Sequence, residues 1–279
     1  MVYLLLSTVF SAGFGLIVRF AQGRRCNMWA VGALNYVTAT LFNLSAQMAQ
    51  GDLSPQAPTV IIGLLGGLSY VSAYFVLYRL MAMRGVAVST TVVRLAIVIP
   101  IVVSIVFWGE RPTTTQAVGS LLALFSLPLL TGKASRGGDG MNRQATVLLI
   151  LLFVLNGLNL VAIRAFEQTG IQGETSLFLT FLFGMAAVVS SLMWLRNREG
   201  TSWTDLLPGT ALGVTNALAN ITLVSALTAL PGVIVFPVRS ALGVVISVGA
   251  ARLFWNERIN RLERAGIAVA LGAAVFINL

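Results

Sequence analysis

Long apolar runs separated by short polar intervals make up nearly the whole chain. Ten runs are long enough to cross a bilayer, which takes about 20 residues in an α-helix. Charged residues gather in the intervals between them. The pattern predicts ten membrane-spanning helices, at residues 2–20, 28–49, 58–83, 86–107, 113–132, 145–165, 174–195, 206–229, 232–254 and 261–279.

The end of the fourth run reappears at the end of the ninth. Residues 107–111 are Phe-Trp-Gly-Glu-Arg and residues 254–258 are Phe-Trp-Asn-Glu-Arg, 147 positions apart (254 minus 107). The starts of the same two runs match at that spacing, as Gly-Val-Ala-Val at 85–88 and Gly-Val-Ile-Val at 232–235. The chain is therefore one unit written twice.

Each copy holds five predicted helices. Because five is odd, the second copy must enter the membrane in the opposite direction, and inverted repeats of this kind enclose a site near the bilayer midplane. We predict an all-α polytopic membrane protein with ten transmembrane helices, arranged as two inverted five-helix repeats around a central cavity. The predicted first repeat is 1–132, the linker loop 133–144 and the second repeat 145–279.

Composition excludes a water-soluble protein. The 279 residues are 57% hydrophobic and 10% charged, whereas soluble proteins carry about 25% charged residues. The net charge of +9 raises the question of nucleic-acid binding. The Lys and Arg residues lie in short loops instead of forming one basic face, which is the pattern of topology signals. We therefore expect a lipid bilayer as partner and no nucleic acid.

Missing residue types exclude several kinds of chemistry. The chain has no His and one Cys, Cys26, which excludes imidazole-held zinc, His-based catalysis and an internal disulfide. No nucleophile with an acid–base pair and no metal cluster stands out within the runs. We expect no enzyme activity, no metal and no cofactor.

Loop charge predicts the orientation. Of the 18 Lys and Arg residues, Arg111 and Arg164 lie at or just beyond the ends of even-numbered runs, and Arg94 and Arg239 lie deep inside runs. The other 14 (18 minus 4) belong to the intervals after odd-numbered runs or the run ends beside them, on the opposite side of the membrane. The positive-inside rule then places the intervals after odd-numbered runs in the cytoplasm and both termini outside.

Two arginines lie inside apolar runs, where a charge is costly and usually functional. Arg94 is eight residues into the fourth run and Arg239 seven into the ninth. Because these runs enter from opposite faces, the two side chains are predicted to converge. A guanidinium binds carboxylate or phosphate oxygens with two parallel hydrogen bonds, so the pair favours an anionic substrate. The alternative is that each binds backbone carbonyls freed by Pro100 or Pro237.

Polar residues also recur at helical spacing within the runs. Such residues must face protein or a wet cavity, because lipid satisfies no hydrogen bond. Tyr and Asn side chains suit a binding site, although they also serve packing. The predicted substrate-binding residues are Arg94, Arg239, Tyr70, Tyr74, Tyr78, Asn216, Asn220, Asn35 and Asn156. The pairs Glu110-Arg111 and Glu257-Arg258 lie at run ends, where we expect helix caps or salt bridges between helices.

The duplicated motifs at 107–111 and 254–258, the Gly-Val-x-Val helix starts and the Gly-rich fifth and tenth runs together resemble the drug/metabolite transporter superfamily, most closely its EamA-type ten-helix members. The resemblance implies two five-helix repeats, a central cavity and alternating access for metabolites such as amino acids, sugars or organic anions. Members of the family usually have cytoplasmic termini, and the charge count here predicts the opposite.

These observations predict a secondary-active or exchange transporter in the cell inner membrane, as a monomer or homodimer. Its small-molecule substrate is expected to bear a carboxylate or phosphate. No buried carboxylate or His is available to carry a proton, which favours exchange or facilitated transport. The alternatives are a multidrug/cation or amino-acid exporter and a lipid flippase-type protein of the same fold. Two buried positive charges argue against a cationic ligand.

Overall fold

The computed structural model describes residues 1–51, 53–131, 143–171, 173–197, 200–255 and 261–278. Residues 133–142 of the predicted linker, and the pair Glu257-Arg258, lie outside this part of the chain. Within it every regular element is an α-helix, which confirms the predicted fold class. The helices are α1 (Val2–Gly23), α2 (Met28–Gln50), α3 (Ala57–Leu95), α4 (Val98–Trp108), α5 (Thr114–Thr131), α6 (Arg143–Gln168), α7 (Thr175–Asn197), α8 (Trp203–Ala229), α9 (Gly232–Trp255) and α10 (Arg261–Asn278).

Five stretches of helix in the described residues are long and apolar enough to cross a membrane, judged by length and composition. They are α1, the Ala57–Met81 part of α3, α6, α7 and α8. Shorter apolar stretches at Val92–Trp108, Gly232–Ile246 and Arg264–Ala273 accompany them. Many large apolar side chains of these helices remain exposed, as expected for a surface that faces lipid.

The boundary between the predicted third and fourth spans is wrong. Sequence placed it at Arg84 and Gly85, whereas α3 runs unbroken for 39 residues to Leu95. A single Gly costs a helix only about 1 kcal/mol relative to Ala, which does not end it. Pro100 is the effective breaker, because it has no N–H for the carbonyl of Ala96. That carbonyl accepts from the N–H of Ile99 instead, at 3.1 Å.

Contacts divide the chain into two compact units. Unit 1 comprises Met1–Ser72 and Ala162–Ala226, and unit 2 comprises Ala73–Val161 and Leu227–Leu279. In unit 1, α2 packs against α7; in unit 2, α5 packs against α10 and α4 against α9. The helices of each pair are five apart in chain order, so equivalent helices of the two predicted repeats pack together. The repeat boundaries themselves stay a prediction.

Glycines set the closest helix approaches in unit 1. An added Cβ on Gly67 of α3 would overlap the carbonyl oxygen of Leu182 and lie 2.8 Å from Met185 Cβ, both in α7. An added Cβ on Gly213 of α8 would lie 2.5 Å from Thr38 Cβ and 2.6 Å from the carbonyl oxygen of Asn35 in α2. Small residues allow such contacts between helices that lipid does not drive together.

A proline in α9 leaves a backbone carbonyl that a neighbouring helix satisfies. Pro237 supplies no N–H to the carbonyl of Val233, four residues earlier. The hydroxyl of Ser120 in α5 donates to that carbonyl at 3.0 Å, and Ser120 is 5% exposed. The bond therefore fixes α5 against α9 within unit 2 while completing the backbone of the proline-containing helix.

We predict that Gly67→Ala destabilises the protein by about 2 kcal/mol, because a backbone carbonyl cannot turn away from the new methyl group and α3 and α7 must separate. Gly15→Ala is the matched control, since nothing lies within 4 Å of its added Cβ. Thermal melting in detergent should show a lower midpoint for Gly67→Ala alone. Equal midpoints for the two variants would contradict the close approach.

We also predict that Ser120→Ala costs about 1–3 kcal/mol, because it leaves the buried Val233 carbonyl without a donor. In a Pro237→Ala background the same change should cost less, because an alanine in place of the proline restores the helical N–H. A double-mutant cycle measures this coupling, with the free energy of unfolding of each variant determined by denaturant unfolding in micelles. Additive effects of the two substitutions would show that the hydroxyl does not compensate for the proline.

Candidate functional site

The two predicted intramembrane arginines lie together in unit 2. Arg94 is in the last turn of α3, and its Nη1 donates to the carbonyl oxygen of Ser240 in α9 at 3.4 Å. Arg239 immediately precedes Ser240 in α9, so the carbonyl that binds Arg94 and the residue Arg239 lie at the same level of that helix. Both are half-buried, and their like charges repel each other.

The position of Arg94 differs from the predicted depth of eight residues inside a fourth span. It lies just before the α3–α4 break, where a cation is favoured because the C-terminal carbonyls of a helix carry partial negative charge. Its carbonyl partner, Ser240, is not the one that Pro237 frees, because Ser120 takes that one. Arg94 therefore binds a backbone carbonyl, but not one that a proline frees, and its role in substrate binding stays a prediction.

Glu110 caps the start of α9. Its carboxylate accepts from the backbone N–H groups of Gly232 at 3.0 Å and Val233 at 2.9 Å. A carboxylate suits this place because the first N–H groups of a helix lack partners and carry partial positive charge. The cap predicted for Glu110 is confirmed, and it links the Phe-Trp-Gly-Glu-Arg motif of the first repeat to the Gly-Val-Ile-Val start in the second.

Two more carboxylates bind backbone or hydroxyl donors at helix starts in unit 1. Glu174 accepts from the backbone N–H of Gln56 at 3.1 Å and from the hydroxyl of Thr59, at the beginning of α3. Asp205 accepts from the backbone N–H of Asn27 at 3.0 Å, just before α2. These carboxylates hold helix ends in place within unit 1.

Asp205 also affects the single cysteine. Cys26 lies between α1 and α2 and is 8% exposed. Burial raises the pKa of the Cys26 thiol, and the negative charge of Asp205 raises this pKa further. The thiol is therefore a weak nucleophile at neutral pH.

Four of the predicted residues form a hydrogen-bonded chain in unit 1. The Tyr70 hydroxyl donates to Asn220 Oδ1 at 3.0 Å, and Asn220 Nδ2 donates to Asn216 Oδ1 at 2.9 Å. Asn216 Nδ2 donates to Asn35 Oδ1 at 3.3 Å. The chain joins α3, α8 and α2. Gly213 enables it, because the close approach of α2 to that glycine brings Asn35 next to Asn216.

The remaining three predicted residues lie in unit 2 and are not part of that chain. Tyr74 contacts Phe75 edge to face, with ring centroids 5.8 Å apart. Tyr78 is half-buried one turn further along α3. Asn156 Nδ2 donates to the carbonyl of Leu152 in its own helix at 2.9 Å. Both contacts lie within a single helix, and the role of the three residues stays a prediction.

Sequence reasoning missed one charged residue of unit 1. Arg164 was counted among the loop charges, although it lies near the end of the predicted sixth span; in α6 it is 5% exposed and forms an ion pair with Glu167. The spacing of three residues was a usable signal, because residues i and i+3 are neighbours on a helix. Ser120 was also missed, and the sequence gives no sign that its hydroxyl reaches the Val233 carbonyl.

Comparisons with known proteins agree with this architecture. Residues 1–132 match the EamA-like transporter family. An uncharacterized protein of Haemophilus influenzae is 22% identical over 284 residues, which cover 97% of this chain and 95% of that protein. A protein solved by crystallography has the same fold, with a TM-score of 0.81 at 18% identity over 99% of this chain and 94% of the other.

The family match covers the whole of the first predicted repeat, including Arg94 and the motif at 107–111. The family is one of transporters, which agrees with the absence of an enzymatic constellation from the sequence. The apolar helices independently require a bilayer as solvent. The predicted EamA-type resemblance is thus confirmed over residues 1–132, and this match together with the apolar helices supports a multi-pass membrane protein.

Proposed function

We propose that this protein is a secondary-active or exchange transporter of a small metabolite that bears a carboxylate or phosphate. It resides in the cell inner membrane and works by alternating access. The observation that carries the proposal is the pair Arg94 and Arg239, held at one level of α9 in unit 2. An anion bound to both would receive the forked, charge-assisted hydrogen bonds for which guanidinium is suited.

Electrostatics favours an anion over a cation here. Two like charges in a poorly solvated part of a membrane protein repel each other strongly, and a bound anion relieves that repulsion. Glu110, Glu174 and Asp205 bind donors at helix starts. A cationic drug would add a third positive charge, which is why the cation-exporter alternative is disfavoured.

Backbone geometry at Arg94 also supports transport. The break between α3 and α4 begins directly after Leu95, the residue that follows Arg94. Transporters commonly build substrate sites at such discontinuous helices. A break lets the two segments change their relative angle without disrupting a continuous hydrogen-bond ladder. The arginine therefore lies where a conformational change of the helix would move it.

We predict that Arg94→Ala and Arg239→Ala each lower kcat/KM for an anionic probe by about 100-fold, as expected from losing one partner of a buried charge pair. Arg94→Lys keeps the charge but loses the fork, so we expect a loss of about tenfold. Uptake into proteoliposomes is measured with succinate and glucose 6-phosphate as anions, glucose as neutral probe and tetraphenylphosphonium as cation.

Arg196→Ala is the matched control, because Arg196 is exposed in the last turn of α7. Its uptake should equal that of the parent. Preferred uptake of the cation by the parent, or folded Arg94→Ala and Arg239→Ala proteins that take up the anions normally, would refute the anionic assignment.

A further inference from the structure

The direction of the polar chain in unit 1 is fixed by one backbone carbonyl. Asn220 Nδ2 lies 2.9 Å from the main-chain oxygen of Asn216 and 2.9 Å from its side-chain Oδ1. The main-chain atom is a carbonyl oxygen and only accepts, so the Asn220 atom beside it must be the amide nitrogen. Asn220 Oδ1 is then the atom that accepts from the Tyr70 hydroxyl.

This constraint passes along the chain to α2. Since Asn220 donates to Asn216, the Asn216 atom that faces it is Oδ1, and Nδ2 of Asn216 faces α2. That nitrogen donates to Asn35 Oδ1, so the outer atom of Asn35 is the amide nitrogen. None of the three amides can be rotated by 180° without placing two oxygens or two nitrogens against each other.

Asn35 Nδ2 is therefore a donor at the end of a one-directional chain. Asn35 is 1% exposed, and its Nδ2 has no acceptor among the described residues. Asn43 in the same helix also has an unpartnered atom, but that atom is Oδ1, an acceptor. Unpartnered buried acceptors are tolerated more often than unpartnered donors. Among the unpartnered amide atoms of α2, the Asn35 donor is thus the one that most needs a partner from outside the chain.

We propose that Asn35 Nδ2 donates a hydrogen bond to an acceptor oxygen of the transported solute, which makes Asn35 a specificity-determining residue. The proposal rests on the proposed transport function. Because Asn35 is enclosed in this structure, the oxygen reaches it in a conformation that opens this part of unit 1, as alternating access provides. A buried water is the competing partner for the Asn35 donor, but such waters make about three hydrogen bonds. The unpartnered Asn43 acceptor lies two helical turns, about 12 Å, away along α2, so one water cannot bind both amides.

The test compares Asn35→Leu and Asn35→Asp with the control Asn43→Leu, which changes another fully buried amide of α2. Uptake of succinate, glucose 6-phosphate and glucose into proteoliposomes gives KM and kcat separately, and detergent melting checks folding. Asn35→Leu should raise KM about tenfold, as expected for one lost hydrogen bond, with kcat little changed. Asn43→Leu should keep the KM of the parent.

Asn35→Asp keeps the inner oxygen that Asn216 needs and removes only the outer N–H. At pH 8 its carboxylate should raise KM relative to the parent at the same pH, as Asn35→Leu does. At pH 5 the carboxyl, whose pKa burial raises, should be protonated, donate again and restore the KM of the parent at that pH. The parent is the reference at each pH because succinate and glucose 6-phosphate also titrate in this range. A purely structural role does not produce this pH dependence. A folded Asn35→Leu protein with the KM of the parent, for whichever probe the parent takes up, overturns the proposal and assigns the donor to water or packing.

The two proposals fail in distinguishable ways. Loss of anion preference in the parent, with uptake of glucose instead, contradicts the anionic assignment but leaves the Asn35 test intact, since glucose also offers acceptor oxygens. Normal anion preference with unchanged KM in the Asn35 variants contradicts the Asn35 proposal alone. If the parent takes up none of these probes, both proposals are contradicted.

Discussion

Polar groups in a lipid-immersed protein must find partners within the chain, and this constraint organises the structure. Helix starts expose N–H groups and prolines free carbonyls, and neither lipid nor apolar side chains can satisfy them. Glu110 supplies acceptors at the start of α9, and Ser120 supplies a donor to the carbonyl that Pro237 leaves free. Each partner comes from outside the helix it serves, so satisfying the backbone also fixes which helices pack together.

The same constraint separates structural polar groups from candidates for binding. The carboxylates Glu110, Glu174 and Asp205 are used at helix starts, where their charge complements the helix dipole. The arginines 94 and 239 are brought together despite their like charge, and the amides of unit 1 end in an enclosed donor. Both arrangements cost free energy: a bound anion would relieve the repulsion in unit 2, and an acceptor oxygen would relieve the unpartnered donor in unit 1.

Sequence predicted the helices well because run length and hydropathy follow directly from bilayer thickness. It failed at the α3–α4 boundary, where Arg84 and Gly85 suggested a loop. The energetic cost of one Gly is small, and Pro100 decides where the helix ends. The Tyr and Asn candidates could be chosen from their spacing. The order in which their side chains are hydrogen-bonded to one another could not be predicted, because it depends on which helix faces α2.

Local geometry explains the other gap between sequence and structure. Gly213 and Asn216 both face α2, and the glycine allows the approach that brings Asn35 within hydrogen-bonding distance. The relation of Ser120 to Val233 depends on α5 packing against α9, a contact between residues 113 positions apart. Such contacts arise from tertiary packing and leave no periodic trace in the sequence.

In the proposed transport function, Arg94 and Arg239 line a water-filled substrate path. The chain's single cysteine can be removed as Cys26→Ser, after which Arg94→Cys or Arg239→Cys provides one reporter thiol. The decisive measurement is the rate at which a membrane-impermeant, water-soluble methanethiosulfonate modifies each thiol in proteoliposomes. We expect the water-soluble reagent to modify the thiol at both positions. Thiols that react only with lipid-soluble reagents would contradict it.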